Sequence, residues 1–172
     1  MSDIVEHGWE IVRRTERGWP GHFICAHLCI FHRNTLLEYG EARIVVSTVG
    51  MMRDPLKEGS FQEIGLNRYY ETMAFHAKKC ILDKYWDADV TREVNFQSPW
   101  YIEELGADDK ANDMHENVVF EIINGLWEGR YRAEDNIIDD GFGNMWSKTC
   151  PECGKESMEI VRPGKVQCAY CG

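Results

Sequence analysis

Long apolar runs are missing from this chain. Nothing approaches the roughly 20 consecutive apolar residues that a helix needs to cross a bilayer. The opening residues Met1-Ser-Asp-Ile-Val-Glu6 lack the charged-then-apolar pattern of a secretory signal, so a cytoplasmic protein without membrane contact is expected. Phosphate-cradling loops are absent, with neither GxxxxGK[ST] nor a GxGxxG after a strand. So are the GxSxG elbow and the HExxH helix, which tilts the expectation from enzyme toward binding protein. Internal repeats and low-complexity tracts are also absent. Cations are in the minority, 19 Lys and Arg against 29 Asp and Glu. Nucleic-acid binders normally carry a basic footprint, and this chain as a whole would repel a phosphate backbone.

The charge is unevenly spread. Residues 1–82 balance ten cations with ten anions, residues 83–140 hold five against sixteen, and residues 141–172 hold four against three. An acidic stretch is usually a solvated face. The sharper reading is a surface for a basic partner, or a decoy of nucleic acid. With 44% hydrophobic residues and six tryptophans in 172 residues, the chain has material for one modest core plus a small module.

The first hundred residues have the texture of strands joined by hairpin-length connections. Trp9–Arg13, His22–Phe31 with a break near Arg33-Asn34, Thr35–Tyr39, Arg43–Val49, Arg68–His76 and Asp89–Phe96 predict an antiparallel meander. At Ser98-Pro99 the pattern changes. Serine at an N-cap and proline at the first helical position predict a short helix to Leu105. A longer helix follows from Asp108 to Glu128, where Ala111, Met114, Val118, Ile122 and Leu126 make one apolar stripe and Gly129 the C-cap. The predicted fold class is α+β: a mainly antiparallel sheet covered by one long and one short helix, followed by a small C-terminal zinc ribbon. The body spans 1–130, with strands to about 96 and helices over about 98–128; 131–143 is a linker and 144–172 the ribbon.

The ribbon rests on Cys150-Pro-Glu-Cys153-Gly and Cys168-Ala-Tyr-Cys171-Gly, with fourteen residues between Cys153 and Cys168. A CxxC turn brings two thiolates to one side of a metal, and the following glycine lets backbone N–H groups turn toward the sulfurs. Met158–Val161 and Lys165–Cys168 read as short strands joined at Pro163-Gly164, with Asn144–Thr149 as a third strand. These residues resemble the paired knuckles of four-cysteine zinc ribbons. That resemblance implies one structural Zn²⁺ per chain held by Cys150, Cys153, Cys168 and Cys171. Two disulfides, a rubredoxin-type iron and a redox CxxC are the alternatives. Seven cysteines leave Cys25, Cys29 and Cys80 over, and a closed four-thiolate site has no open position for catalysis.

Three weaker constellations lie in the body. Strand alternation would put Cys25, His27 and Cys29 on one face, where a metal would need a further donor such as His76 or Cys80; the plainer reading is a core strand. Asp87 and Asp89 at i and i+2 could hold Mg²⁺ or Mn²⁺ with His27 or His76, as in a small hydrolase of nucleic acid or nucleotides; the plainer reading is an acidic loop. His27, Ser47 and Glu71 resemble in kind the residues around the nicotinamide cofactor of ADP-ribosyltransferases. That family's glutamate comes much later in a larger domain, and no role is carried over.

Gly18-Trp-Pro-Gly-His-Phe-Ile-Cys25, Arg43–Gly50 and Arg68–Phe75 are similar to a group of uncharacterised bacteriophage and prophage proteins, over about half the chain. The resemblance implies an accessory protein that acts inside a bacterium on a host protein or nucleoprotein. The alternatives are the metal-dependent hydrolase, with His27, His76, Asp87 and Asp89 as site residues, and an adaptor that touches nucleic acid through the ribbon.

Overall fold

The computed structural model describes residues 2–7, 10–17, 22–79 and 85–132, and the backbone of 158–162 and 165–168. The chain divides into two compact units, Met1–Ile137 and Ile138–Gly172.

The first unit is an antiparallel sheet with one helix. Strands β1 (Ser2–His7), β2 (Glu10–Glu16), β3 (Cys29–Tyr39), β4 (Ala42–Arg53), β6 (Tyr70–Lys79) and β7 (Trp86–Glu93) lie side by side in that order. Two short strands complete it: β5 (Phe61–Gln62) pairs with the end of β4, and β8 (Tyr101–Ile102) with the start of β6. Neighbours in sequence are neighbours in space, as short connections favour. The central strand β4 is rich in β-branched residues, and Ile44 to Gly50 are all buried, because both faces of the sheet are covered.

Helix α1 (Asp108–Trp127) covers one face. Its stripe of Ala111, Met114, Val118, Ile122 and Leu126 is buried as the spacing predicts. Val118, Ile122 and Leu126 meet Val12, Leu37, Ile44, Val46 and Ala74, and each such side chain contributes about 1.5–3 kcal/mol. The helix ends at Gly129, whose φ of +70° is the left-handed cap conformation. Leu36, Val45, Phe75, Ala77 and Ala88 form a second cluster on the opposite face. That face is curled: Arg17, just past β2, reaches Asp87 of β7 at 3.6 Å, although four strand spacings of a flat sheet would separate them by about 19 Å.

Four sequence expectations are corrected. His22 to Leu28 is not extended: it folds as a turn and a 3₁₀ segment (Ala26–Leu28), with Ala26 and Leu28 N–H groups donating to Phe23 and Cys25 carbonyls, each at 2.9 Å. Arg33-Asn34 does not break a strand, because β3 runs through it. Arg33 pairs with Glu16 and Glu116, and Asn34 accepts from Arg17 at 2.9 Å, so neither polar group needs water. The last long strand is Trp86–Glu93, earlier than the predicted Asp89–Phe96. Finally, there is no helix at Ser98. The Gln97 and Ser98 N–H groups and the Ser98 hydroxyl donate to Glu121 of α1 at 2.7, 2.9 and 2.6 Å, while the Trp100 carbonyl accepts from Thr72 N–H at 2.7 Å. The backbone is spent on the sheet edge.

In the second unit β9 (Met158–Arg162) and β10 (Lys165–Cys168) pair antiparallel, with Met158 opposite Cys168. The linker beyond Arg132 and the third-strand candidate Asn144–Thr149 lie outside the described residues.

Candidate functional site

The residues singled out in the body do not gather. His27 sits exposed in the 3₁₀ segment, next to the end of β3 where Cys29 pairs with Met52. His76 pairs with Ile44. Ile44 and Met52 are eight positions apart on β4, about 26 Å of strand, so the two histidines belong to opposite ends of the sheet. Asp87 accepts from its neighbour Ala88 N–H at 2.8 Å and faces Arg17. Burial pulls the Arg17 guanidinium down, against the pull of Asp87 and Tyr85. Asp89 is buried and accepts from Thr91 N–H and hydroxyl at 3.2 and 2.7 Å. Among the described residues no three His, Cys, Asp or Glu side chains are placed to hold a metal.

Cys25 and Cys29 do not share a strand face. Cys29 is buried against the sheet, its thiol 4.0 Å from the Cys25 carbonyl, and burial beside Cys25 pushes it up to about 11. A thiol so held is a poor nucleophile and a poor ligand. Cys80 lies outside the described residues, as do Cys150, Cys153 and Cys171. Cys168 ends β10, and the hairpin returns the chain so that it stands opposite Met158, five residues after Cys153.

Ser47 and Glu71 do meet a histidine, but it is His22. His22 Nε2 lies 3.1 Å from Glu71 Oε1, and Nδ1 lies 3.0 Å from Ser47 Oγ. The acceptor-only carboxylate assigns the ring proton to Nε2, leaving Nδ1 to accept the Ser47 hydroxyl. The His22 backbone N–H donates to the same Oγ at 3.1 Å. A serine, an imidazole and a carboxylate in this order are the groups that activate a nucleophile in acyl transfer. Ser47, however, is 0% exposed, in the middle of β4, and no reacting carbon can approach it. The chain of bonds clasps residues 22–28 onto the sheet. Sequence reasoning paired Ser47 and Glu71 with the wrong histidine because alternation assumed a strand that is a turn.

Two neighbouring clefts flank the edge strand β8. One encloses about 350 Å³, between Arg68, Glu71 and Trp100 on one side and Glu93, Asn95 and Phe96 on the other. The second, of about 250 Å³, lies between Pro99, Tyr101 and Ile102 and the helix residues Lys110, Asp113, Met114 and Asn117. Trp100 and Tyr101 form the ridge between them, 42% and 43% exposed, with ring centroids 4.9 Å apart.

A buried polar network lies under α1. His115 Nε2 is 2.7 Å from Thr35 Oγ1 and its Nδ1 2.7 Å from Thr48 Oγ1, which lies 2.6 Å from Thr72 Oγ1. Burial drives His115 down to about 3, so the ring is neutral. Thr35 also donates to Glu16 at 2.7 Å. Beyond it Arg14 makes paired bonds of 2.7 and 2.6 Å to Glu116. These bonds hold Glu116 down to about 2, against burial and with help from Arg33. For Glu16, burial pushes upward, and the bonds from Arg14 and Thr35 with the Arg33 charge outweigh it. This network was invisible in the sequence, because threonines in strands and a histidine on an apolar stripe carry no spacing signal. Its histidine and threonines are closed to solvent, its outer ion pairs reach the surface, and together they key the helix to the sheet.

No protein-family model, curated protein or solved structure matches the chain. Among the described residues no helix is long and apolar enough to cross a membrane.

Proposed function

We propose that this is an accessory binding protein of bacteriophage type, whose body docks a cationic host protein. A C-terminal zinc ribbon, with Cys150, Cys153, Cys168 and Cys171 as ligands, serves as its structural module. One observation carries the docking reading: exposed aromatic and apolar side chains stand beside the cleft between β8 and α1, among a majority of carboxylates. Asp113, Asn117 and Phe120 follow one another at four- and three-residue steps on one helix face, and Phe120 is 62% exposed. Tyr101 and Leu105 are exposed, as are Glu103, Glu104 and Asp109, with one cation among them, Lys110, paired to Glu104. A partner segment that alternates lysine or arginine with apolar side chains complements this surface. Large exposed aromatics anchor interfaces, and a carboxylate rim steers basic partners toward them. Binding is favoured over hydrolysis because His27 lies at the other end of the sheet from His76, Asp87 and Asp89 and Ser47 is closed to solvent. The hairpin register and the cysteine spacing support the ribbon.

The test is capture from a bacterial lysate on immobilised full-length protein, with the Tyr101→Ala/Phe120→Ala double variant beside it. A basic protein retained by the wild type, lost from the variant and released by raising the salt supports the reading. Identical profiles from the two columns would sink it.

A further inference from the structure

We propose that the cleft between Arg68 and Glu93 is a binding site for a guanine-type base, carried by a free nucleotide or nucleoside. It stands on residues separate from the partner surface.

The cleft exists because the edge of β6 is left uncovered for a short stretch. β7 ends where Glu93 pairs with Phe75, and the chain rejoins the edge at β8, where Tyr101 pairs with Glu71. In between, Thr72 N–H reaches the Trp100 carbonyl and Val94 N–H the Ala74 carbonyl. The opposite walls are thus anchored at Thr72 and Ala74, and the cleft they frame encloses about 350 Å³, room for a bicyclic base.

Arg68 is set in place as a reader. Its guanidinium lies over the Trp100 ring, 5.0 Å from the centroid. The turn before it has glycine at position 65, where a Cβ would fall 2.5 Å from the Arg68 Cζ, so any other residue would push the side chain away. Its Nε faces Glu71 Oε2 at 2.6 Å, an ion pair too poorly aligned to count as a hydrogen bond, and both atoms are otherwise unpartnered and shut from solvent. Glu71 itself is buried and anchored through His22 to Ser47. The carboxylate therefore fixes the guanidinium from behind. No acceptor among the described residues meets the Arg68 Nη groups.

The complementarity selects the ligand. End-on Nη donors match the O6 and N7 acceptors of guanine, the commonest specific contact of arginine with a base. Glu93 and Asn95 offer acceptors for the N1–H and N2–H₂ donors of the other edge. Phe96 supplies a ring face for stacking, worth about 1–3 kcal/mol per base, while Trp100 holds the guanidinium in place. The charges in the cleft, one cation and two carboxylates, leave no surplus for a phosphate. The formal charge of −10 on the chain opposes a polynucleotide, so the source is a free nucleoside or nucleotide.

Isothermal titration of the full-length protein with guanosine, GMP, adenosine, cytidine and a short single-stranded oligoguanylate tests this. Guanosine and GMP should bind within a few-fold of each other and about tenfold or more tighter than adenosine or cytidine. Trp100→Ala and Arg68→Lys should each weaken guanosine about tenfold, while Phe120→Ala, a change on the partner surface away from the cleft, binds it as the wild type does. Trp100 is largely on the surface, so its replacement leaves the fold intact, which a matching circular-dichroism melt verifies. Absence of guanosine binding at millimolar concentration overturns the proposal. So does binding untouched by both cleft variants, or an oligoguanylate preferred over GMP.

Discussion

His115 carries two opposed demands, and their balance sets its chemistry. A charged imidazolium under α1 would face Arg33 and Arg14 with Glu16 and Glu116 in return, while itself fully sealed from water. Burial decides, and the ring stays neutral. In the unfolded chain the same ring takes a proton near its ordinary pKa of about 6.5. As pH falls below that value the unfolded state binds a proton that the folded state refuses, and stability drops by up to about 1.4 kcal/mol per pH unit until pH 3. Glu116, held low by Arg14, adds its own loss as pH falls from 4.5 toward 2. Urea unfolding at pH 7, 6 and 5 isolates this histidine by difference: the wild type loses stability over that span, and His115→Gln loses clearly less. His115→Leu should cost about 2–4 kcal/mol at pH 7, since it removes two buried hydrogen bonds, to Thr48 and Thr35. The sequence shows His115 only as a polar interruption beside an apolar stripe. Its partners are 80 and 67 residues away, and no local pattern reports a bond of that span.

At the scale of elements, the long helix and the central strands were legible because their signal is periodic and local. The stripe from Ala111 to Leu126 and the β-branched run in β4 each repeat with the period of their own structure. The misread elements are those where a side chain from elsewhere takes the backbone. Ser98-Pro99 has the form of a helix start, yet Glu121 collects its N–H groups. Residues 22–28 alternate like a strand, yet His22 is clasped to Ser47. One position sets helix propensity against packing. Gly125 lies in the last turn of α1, where alanine would be about 1 kcal/mol better on propensity alone. A Cβ there would fall 2.4 Å from Tyr131 Cε2, and overpacking costs typically about 1–3 kcal/mol. Gly125→Ala should therefore lower the thermal midpoint, and adding Tyr131→Ala should recover most of the loss relative to Tyr131→Ala alone. A stabilising Gly125→Ala would mean that the tyrosine moves freely.

For the whole molecule, the separation into two compact units makes the ribbon proposal measurable without reference to function. Full-length protein purified without added metal should carry one zinc, and residues 1–137 none. Cys153→Ser should release the metal and unfold the tail, because zinc binding supplies the folding free energy of such small modules. The melting of the body should be unchanged in both cases. Zinc retained by Cys153→Ser would remove the ribbon from the account, and metal on residues 1–137 would reopen Cys25, Cys80 and Asp87 as donors. The candidate site was only half legible at this scale. The cysteine spacing is written in the chain, whereas the cleft at Arg68 arises from a gap between two strands that no single segment encodes.

The helix that covers the sheet is the last part of the body to be made. A ribosome delivers β1 to β8 first, and Leu37, Ile44, Val46 and Ala74 then wait for Val118 and Ile122, with the threonines beneath still lacking their imidazole. During translation this face is a bare apolar sheet. At about 5–20 residues per second, it stays uncovered for seconds. The nascent chain is thus a client for holding chaperones until residue 127 clears the exit tunnel, and the speed of synthesis across residues 94–127 governs its yield.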